Sequence, residues 1–154
     1  MTVAGYQNAK DEMFKLLNDA WDAGAAAIVG YVPDINWPLN EPAVPTDLSR
    51  YWATVSTQMV LEDQAALGNV ENSNQKVYES AGILFVQCFG PMAGDPTVTT
   101  KLPALAALAK NSFRGMKTPS GVWFRNVRTR ELGPDGKFQR INAIAEFQYR
   151  EIGI

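Results

Sequence analysis

The stretch from Gly121 to Tyr149, GVWFRNVRTRELGPDGKFQRINAIAEFQY, constrains the fold more than any other part of this chain. Two runs rich in β-branched and aromatic residues flank Gly133-Pro134-Asp135-Gly136, a turn signal that folds them into a hairpin with long arms. In the first arm Val122 and Phe124 alternate with Trp123, Arg125, Val127 and Thr129. In the second, Ile141, Ala143, Ala145, Phe147 and Tyr149 share one face, and Arg140, Asn142, Ile144, Glu146, Gln148 and Arg150 share the other. Both arms carry too much arginine and aromatic surface to be core filler alone. They read as a surface for packing against other protein chains.

The remaining elements follow from periodicity. Tyr6, Ala9, Met13, Leu16 and Ala20, widened by Leu17 and Trp21, mark an amphipathic helix from about Gln7 to Asp22, ending near Gly24. Its acidic residues Asp11, Glu12, Asp19 and Asp22 lie off the stripe and read as a solvated face. Ile28 to Val32 suits a short buried strand. The segment after it holds Pro33, Pro38, Pro42 and Pro45 and reads as an ordered loop, with Trp37 anchoring it to the core. Arg50 to Glu62 alternates as a half-buried strand, with Trp52 among its polar positions as an exposed interface candidate.

Asp63 to Lys76 is polar and aperiodic, and reads as a mobile loop that orders on assembly. The near-continuous apolar run from Ser80 to Phe89 predicts a central strand buried on both faces. Gly94-Asp95-Pro96 opens a second helix with an apolar face of Leu102, Leu105, Leu108, Ala109 and Phe113. Pro103 falls in its first turn, and Lys110, Arg114 and Lys117 complement its C-terminal dipole. The order is helix, three strands, helix, two strands. This predicts an α+β fold: a largely antiparallel or mixed sheet of about five strands, with two main helices on one face. Residues 1–154 are expected to form a single domain.

Composition removes whole classes of chemistry. The chain has no histidine, which excludes serine–histidine and cysteine–histidine catalysis and histidine-ligated metals. Cys88 is the single cysteine, so intramolecular disulfides are impossible, and its apolar surroundings predict a small buried thiol rather than a reactive one. No catalytic residue, cofactor or metal is expected. No signal peptide and no membrane-spanning stretch is visible, which predicts a soluble chain in a reducing compartment.

Net charge is −2, but residues 1–75 hold three basic and ten acidic residues, whereas residues 76–154 hold eleven basic and six acidic. Such asymmetry suits head-to-tail contacts between identical subunits, although sequence halves need not be spatial halves. The glycines near Gly90-Pro91 lack any Walker or dinucleotide motif. Arg125, Arg128, Arg130, Lys137 and Arg140, with Trp123, Phe124 and Phe138 among them, have the makings of a nucleic-acid surface. Glu131, Asp135, Glu146 and Glu151 on the same hairpin make the local field mixed, which favours protein contact.

Between Glu79 and Glu151 the chain presents, in order, the strand GILFVQCFGP, a short GDP loop, a helix with a small-residue face, SGVWFRNVRTRELG, and a closing strand AEFQYRE. In that ordered set it resembles the tail terminator proteins of long-tailed bacteriophages. The resemblance implies a non-enzymatic virion protein of the tail and neck region, assembled in the host cytoplasm. It would cap the tail tube as a ring, typically of six subunits, stop its polymerisation and join it to the head. Its partners would be further copies of itself, the tail tube protein and a head-completion or neck protein. DNA would pass an acidic lumen without specific binding, and no membrane is involved. Trp123, Arg125, Arg128, Arg130, Arg140 and Trp52 are the candidate subunit contacts. Asp63, Asn69, Glu71, Asn74, Lys76 and Trp37 are candidates for the loops that meet the tube or neck. The alternatives are a head-side connector of the same virion and, from a different class, a small nucleic-acid-binding module.

Overall fold

The structure is a computed structural model that describes residues 5–39, 44–67, 76–92 and 96–153. Helix α1 spans Tyr6–Val29, longer than its expected end near Gly24. Ala9, Met13, Leu17, Trp21 and Ala25, four residues apart, are all buried along one stripe. The alanine run Ala25 to Ala27 carries the helix past Gly24, because alanine is the strongest helix former. Gly24 itself serves close packing: a Cβ there would lie 2.9 Å from Leu108 Cδ1 on the second helix. The helix ends instead at Gly30, whose φ of 87° is left-handed and whose N–H bonds the Ala26 carbonyl.

Ile28 and Val29 are therefore the last helical turn and not part of a strand. The first strand, β1, is Asp34–Asn36, inside the proline-rich segment expected to be a loop. It fits between Pro33 and Pro38 as a three-residue edge, where prolines on either side leave no ladder bond missing. Trp21 ties this segment down by donating its indole N–H to the Pro33 carbonyl at 2.8 Å. Trp37 packs on Phe14 of α1 with ring centroids 5.2 Å apart, as an anchor should.

Strands β2 (Trp52–Leu67) and β3 (Lys76–Pro91) form a long antiparallel hairpin. Its arms absorb residues 63–67 and Lys76, which the polar sequence placed in a mobile loop; Asp63 pairs with Glu79 and Leu67 with Lys76. Backbone pairing between adjacent arms does not require apolar side chains, so polarity alone did not end these strands. Residues 68–75, including Asn69, Glu71 and Asn74, lie outside the described residues.

Helix α2 is Val98–Phe113, with Leu102, Leu105, Ala106, Ala109 and Phe113 buried. Pro103 is its sixth residue, past the first turn where it was expected, so its ring removes the bond that would reach the Thr99 carbonyl. The chain closes with β4 (Trp123–Asp135) and β5 (Phe138–Gly153). The turn between them is Gly136-Lys137, and Gly136 supplies the positive φ of 63° that primed hairpin turns demand.

The sheet order is β1-β2-β3-β5-β4, antiparallel except for the parallel β1–β2 pair. This is the expected α+β architecture. Both helices pack on one face, over Val55 of β2, Leu84, Val86 and Cys88 of β3, and Ala143, Ala145, Phe147 and Tyr149 of β5. Strand β3 does lie at the centre, but it is not sandwiched on both faces. Ser80, Leu84, Val86 and Cys88 are buried beneath the helices, whereas Ile83, Phe85 and Gln87 on the opposite face stay half-buried. Helix α1 is fixed at the loop before β4, where the Glu12 carboxylate accepts from the Ser120 hydroxyl at 2.7 Å and the Ser120 N–H at 3.1 Å.

Candidate functional site

The sheet face turned away from the helices carries the arginines. Strict alternation would split them, putting Arg125 on one side of β4 and Arg128 and Arg130 on the other. The register shows why they are not split. Arg125 pairs with Glu146, but the next pair is Arg128 with Ile144, so β4 holds one extra residue. This β-bulge falls at Asn126, whose φ of 51° lies in the left-handed region that asparagine tolerates better than most residues. After the bulge Val127 and Thr129 turn toward the helix side, and Arg128 and Arg130 join Trp123 and Arg125 on the open face.

Strand β5 adds Arg140, Glu146, Gln148 and Arg150 to the same face, and β3 adds Glu79. Arg128 is held by the Glu146 carboxylate at 3.0 Å and by the Asn126 carbonyl at 2.7 Å. Arg140 donates its Nε–H to the Gly133 carbonyl at 2.7 Å, bracing the hairpin tip. Glu79 accepts from Gln148 and lies 3.8 Å from Arg150. Arg125 and Arg130 are exposed and make no ion pair or hydrogen bond among the described residues. Among the described residues five arginines thus share this surface with three carboxylates, Glu79, Glu146 and Asp135 at the hairpin tip, and two of the guanidinium groups are left to bind a partner's carboxylate in bidentate fashion.

Trp52 is a correction. It lies on this face, but it is only 7% exposed, because Phe89 stacks on it at 4.0 Å and Phe138 meets it edge-on at 5.4 Å. The three rings form a small second core at the hairpin-tip end of the sheet. Beside them is a hollow of about 320 Å³ bordered by Val44, Leu48 and Lys137. Nothing in the local pattern pointed to this burial, because the covering rings come from β3 and β5. Trp37 sits with the helices, away from the arginine face.

Trp123, Arg125, Arg128, Arg130 and Arg140 are therefore brought together, whereas Trp52 and Trp37 are packed inward to different degrees. Among the described residues, no cluster of three or more cysteine, aspartate or glutamate side chains could hold a metal. Among the same residues, no helix is long and apolar enough to cross a membrane. Cys88 is fully buried, and burial pushes its thiol up to about 12. The surface is equipped for contact: arginine forks beside a half-exposed tryptophan are the groups that dominate protein–protein hot spots.

No family model matches the chain, and no curated protein matches it. Among solved structures, it is similar to a chain from the virion of a native gene transfer agent particle. That match has a TM-score of 0.54 and 17% identity, covering 96% of this chain and 100% of the other. A second solved structure, which carries no functional description, matches with a TM-score of 0.55 and 12% identity over 91% of this chain and 94% of its own. At these identities the likeness is one of fold, and it extends over nearly the full length of each chain.

Proposed function

We propose that this protein is a structural component of a phage-like virion, acting by contact rather than by catalysis, and that it is the tail terminator. In that role it forms a ring on the end of the tail tube, stops tube growth and presents a joint to the head. The observation that carries the reading is the near end-to-end fold match with a chain of a gene transfer agent virion. The arginine face supplies what such a protein needs, a charged surface whose two unpaired guanidinium groups await partners.

Trp123, Arg125, Arg128 and Arg130 are assigned to contacts between subunits. Replacing the three arginines with glutamate is expected to prevent ring formation while leaving the far-ultraviolet circular dichroism unchanged. Unaltered rings in electron micrographs of that variant would remove the face from the interface. Immunogold labelling of intact particles tests the position: label where the tube meets the neck supports the terminator role, and label on the head side of the neck replaces it with a connector role.

A further inference from the structure

The acidic and basic halves of the sequence are also the two sides of the molecule. Strands β1 and β2 form one side of the sheet and β3, β5 and β4 the other, because the order is β1-β2-β3-β5-β4. The helices divide in the same way. Helix α1 leans toward β1, since its Trp21 and Phe14 hold Pro33 and Trp37, the residues on either side of that strand. Helix α2 packs over β3, β5 and β4. Residues 1–75, acidic on balance, and residues 76–154, basic on balance, therefore build opposite flanks.

On the acidic flank, Gln7, Asp11, Asn18 and Asp22 share the Phe14 side of α1, at helical spacings from it of seven, three, four and eight residues. Asp11 accepts from Gln7 at 2.8 Å and Asp22 from Asn18 at 3.3 Å, so each carboxylate is held by a neutral amide. Asp22 and the exposed Asp34 directly follow Trp21 and Pro33, the pair joined by the indole bond, which puts Asp34 on the same flank. The cations of this half are engaged within it: Lys15 by Asp19 at 2.8 Å, Lys10 over the Tyr6 ring and Arg50 over the Tyr31 ring. On the basic flank, Leu108 marks the side of α2 that meets Gly24 of α1. Lys110 lies about 200° around the helix from it, and Arg114 one turn further on, so both face away from α1. Thr99 and Pro103 share that side of α2 and border Glu131 and Leu132, which shows that it faces β4. Lys117, exposed, is bridged to Trp123 at the start of β4. None of the three cations makes an ion pair among the described residues. Glu131 is set apart from them, toward the other end of α2.

We infer that copies of this chain associate side by side, the α2–β4 flank of one against the α1–β1 flank of the next. A second copy is the occupant because each chain carries both complementary surfaces, on opposite sides. Asp11 and Asp22 on one flank and Lys110 and Arg114 on the other all belong to the helix layer, so neighbours whose sheets face the same way bring them together. Two α2 flanks would set cation against cation, and two α1 flanks aspartate against aspartate, which disfavours a two-fold dimer through either. The contact is head-to-tail and closes as a ring when the rotation allows. This rests on the ring reading and names the surfaces through which that ring forms.

The test reverses each flank in the intact chain. Arg114→Glu with Lys117→Glu makes the α2 flank acidic, and Asp11→Lys with Asp22→Lys makes the α1 flank basic. Each double variant should lower the assembled fraction by more than about tenfold in analytical ultracentrifugation, with far-ultraviolet circular dichroism unchanged. The quadruple variant should assemble again, because its flanks are complementary in the opposite sense. Wild-type rings that survive either reversal overturn the flank pairing and leave the ring reading in place. So does a quadruple variant that is folded but stays dissociated. Where a reversal unfolds the chain, Arg114→Gln and Asp22→Asn take its place; each should weaken assembly about threefold, and unchanged assembly overturns the pairing equally. A wild-type chain that stays monomeric at every concentration removes the ring reading and this inference together.

Discussion

Gly82 lies at the centre of the sheet, paired with Met59 of β2 and Phe147 of β5. A Cβ at this position would stand 2.6 Å from the Gln58 carbonyl oxygen and 2.6 Å from Cζ of Phe147. Neither neighbour can move cheaply. One is backbone of an adjacent strand, and the other is a ring that is 1% exposed and packed under the helices. The Phe147 ring covers the missing side chain, a cross-strand arrangement that compensates for glycine in a strand.

Gly82→Ala therefore forces overpacking, which costs about 1–3 kcal/mol. The lower entropy of the unfolded alanine chain offsets about 0.4–1 kcal/mol of that. Two immobile contacts place the cost at the upper end, leaving a net loss of about 2 kcal/mol. For a chain of this size the melting temperature should fall by about 4–8 °C. Urea titration should show a lower midpoint at unchanged slope, the signature of altered stability without altered compactness. Gly133→Ala is the control, because a Cβ there meets nothing within 4 Å and its φ is unstrained. It should be neutral or slightly stabilising. A Gly82→Ala protein at least as stable as wild type would refute the claim that Phe147 occupies the glycine's place.

At the bulge, Asn126→Gly should leave stability unchanged or raise it, whereas Asn126→Val should cost about 1–2 kcal/mol, read from urea midpoints, because a β-branched residue resists positive φ. Trp21→Phe removes the donor to the buried Pro33 carbonyl and should lower stability by about 1–3 kcal/mol, measured the same way. Partial burial raises the Glu12 pKa, but hydrogen bonds from Ser120 and Thr118 outweigh it and leave the carboxyl below its ordinary value. Its contribution is thus complete above the unfolded value of about 4.3 and is lost as pH falls through the folded one, so Glu12→Gln should flatten the acid limb of a stability–pH curve. Cys88 should give no colour with a thiol reagent in the native state and one equivalent in denaturant; native reactivity would contradict its burial.

Much of the architecture was legible in the linear chain. The stripe of α1, the apolar run of β3 and the turn between two alternating arms follow from nearest-neighbour periodicity, and with them the order of elements and the α+β class. The absence of histidine and the isolation of Cys88 determined which chemistries were excluded. Boundaries were less legible. Gly24 carries the chemistry of a helix stop, but the alanines after it and Leu108 of α2 against it make it a packing position. Residues 63–67, the start of a segment that is polar as a whole, have strand partners only because β3 returns beside them.

The candidate site divides along the same line. Its inventory, the arginines and Trp123 of the closing hairpin, was determined by sequence alone. Their common face was decided only in three dimensions. One extra residue at Asn126 shifts the phase of β4, and a two-residue period carries no mark of where such a shift falls. Trp52 shows the reverse case, a residue whose local pattern says exposed and whose neighbours on β3 and β5 bury it. Local chemistry sets what each segment is able to become. Which side of the sheet meets water, and which strands lie at its edges, depends on strands distant in sequence and is decided only when they pair.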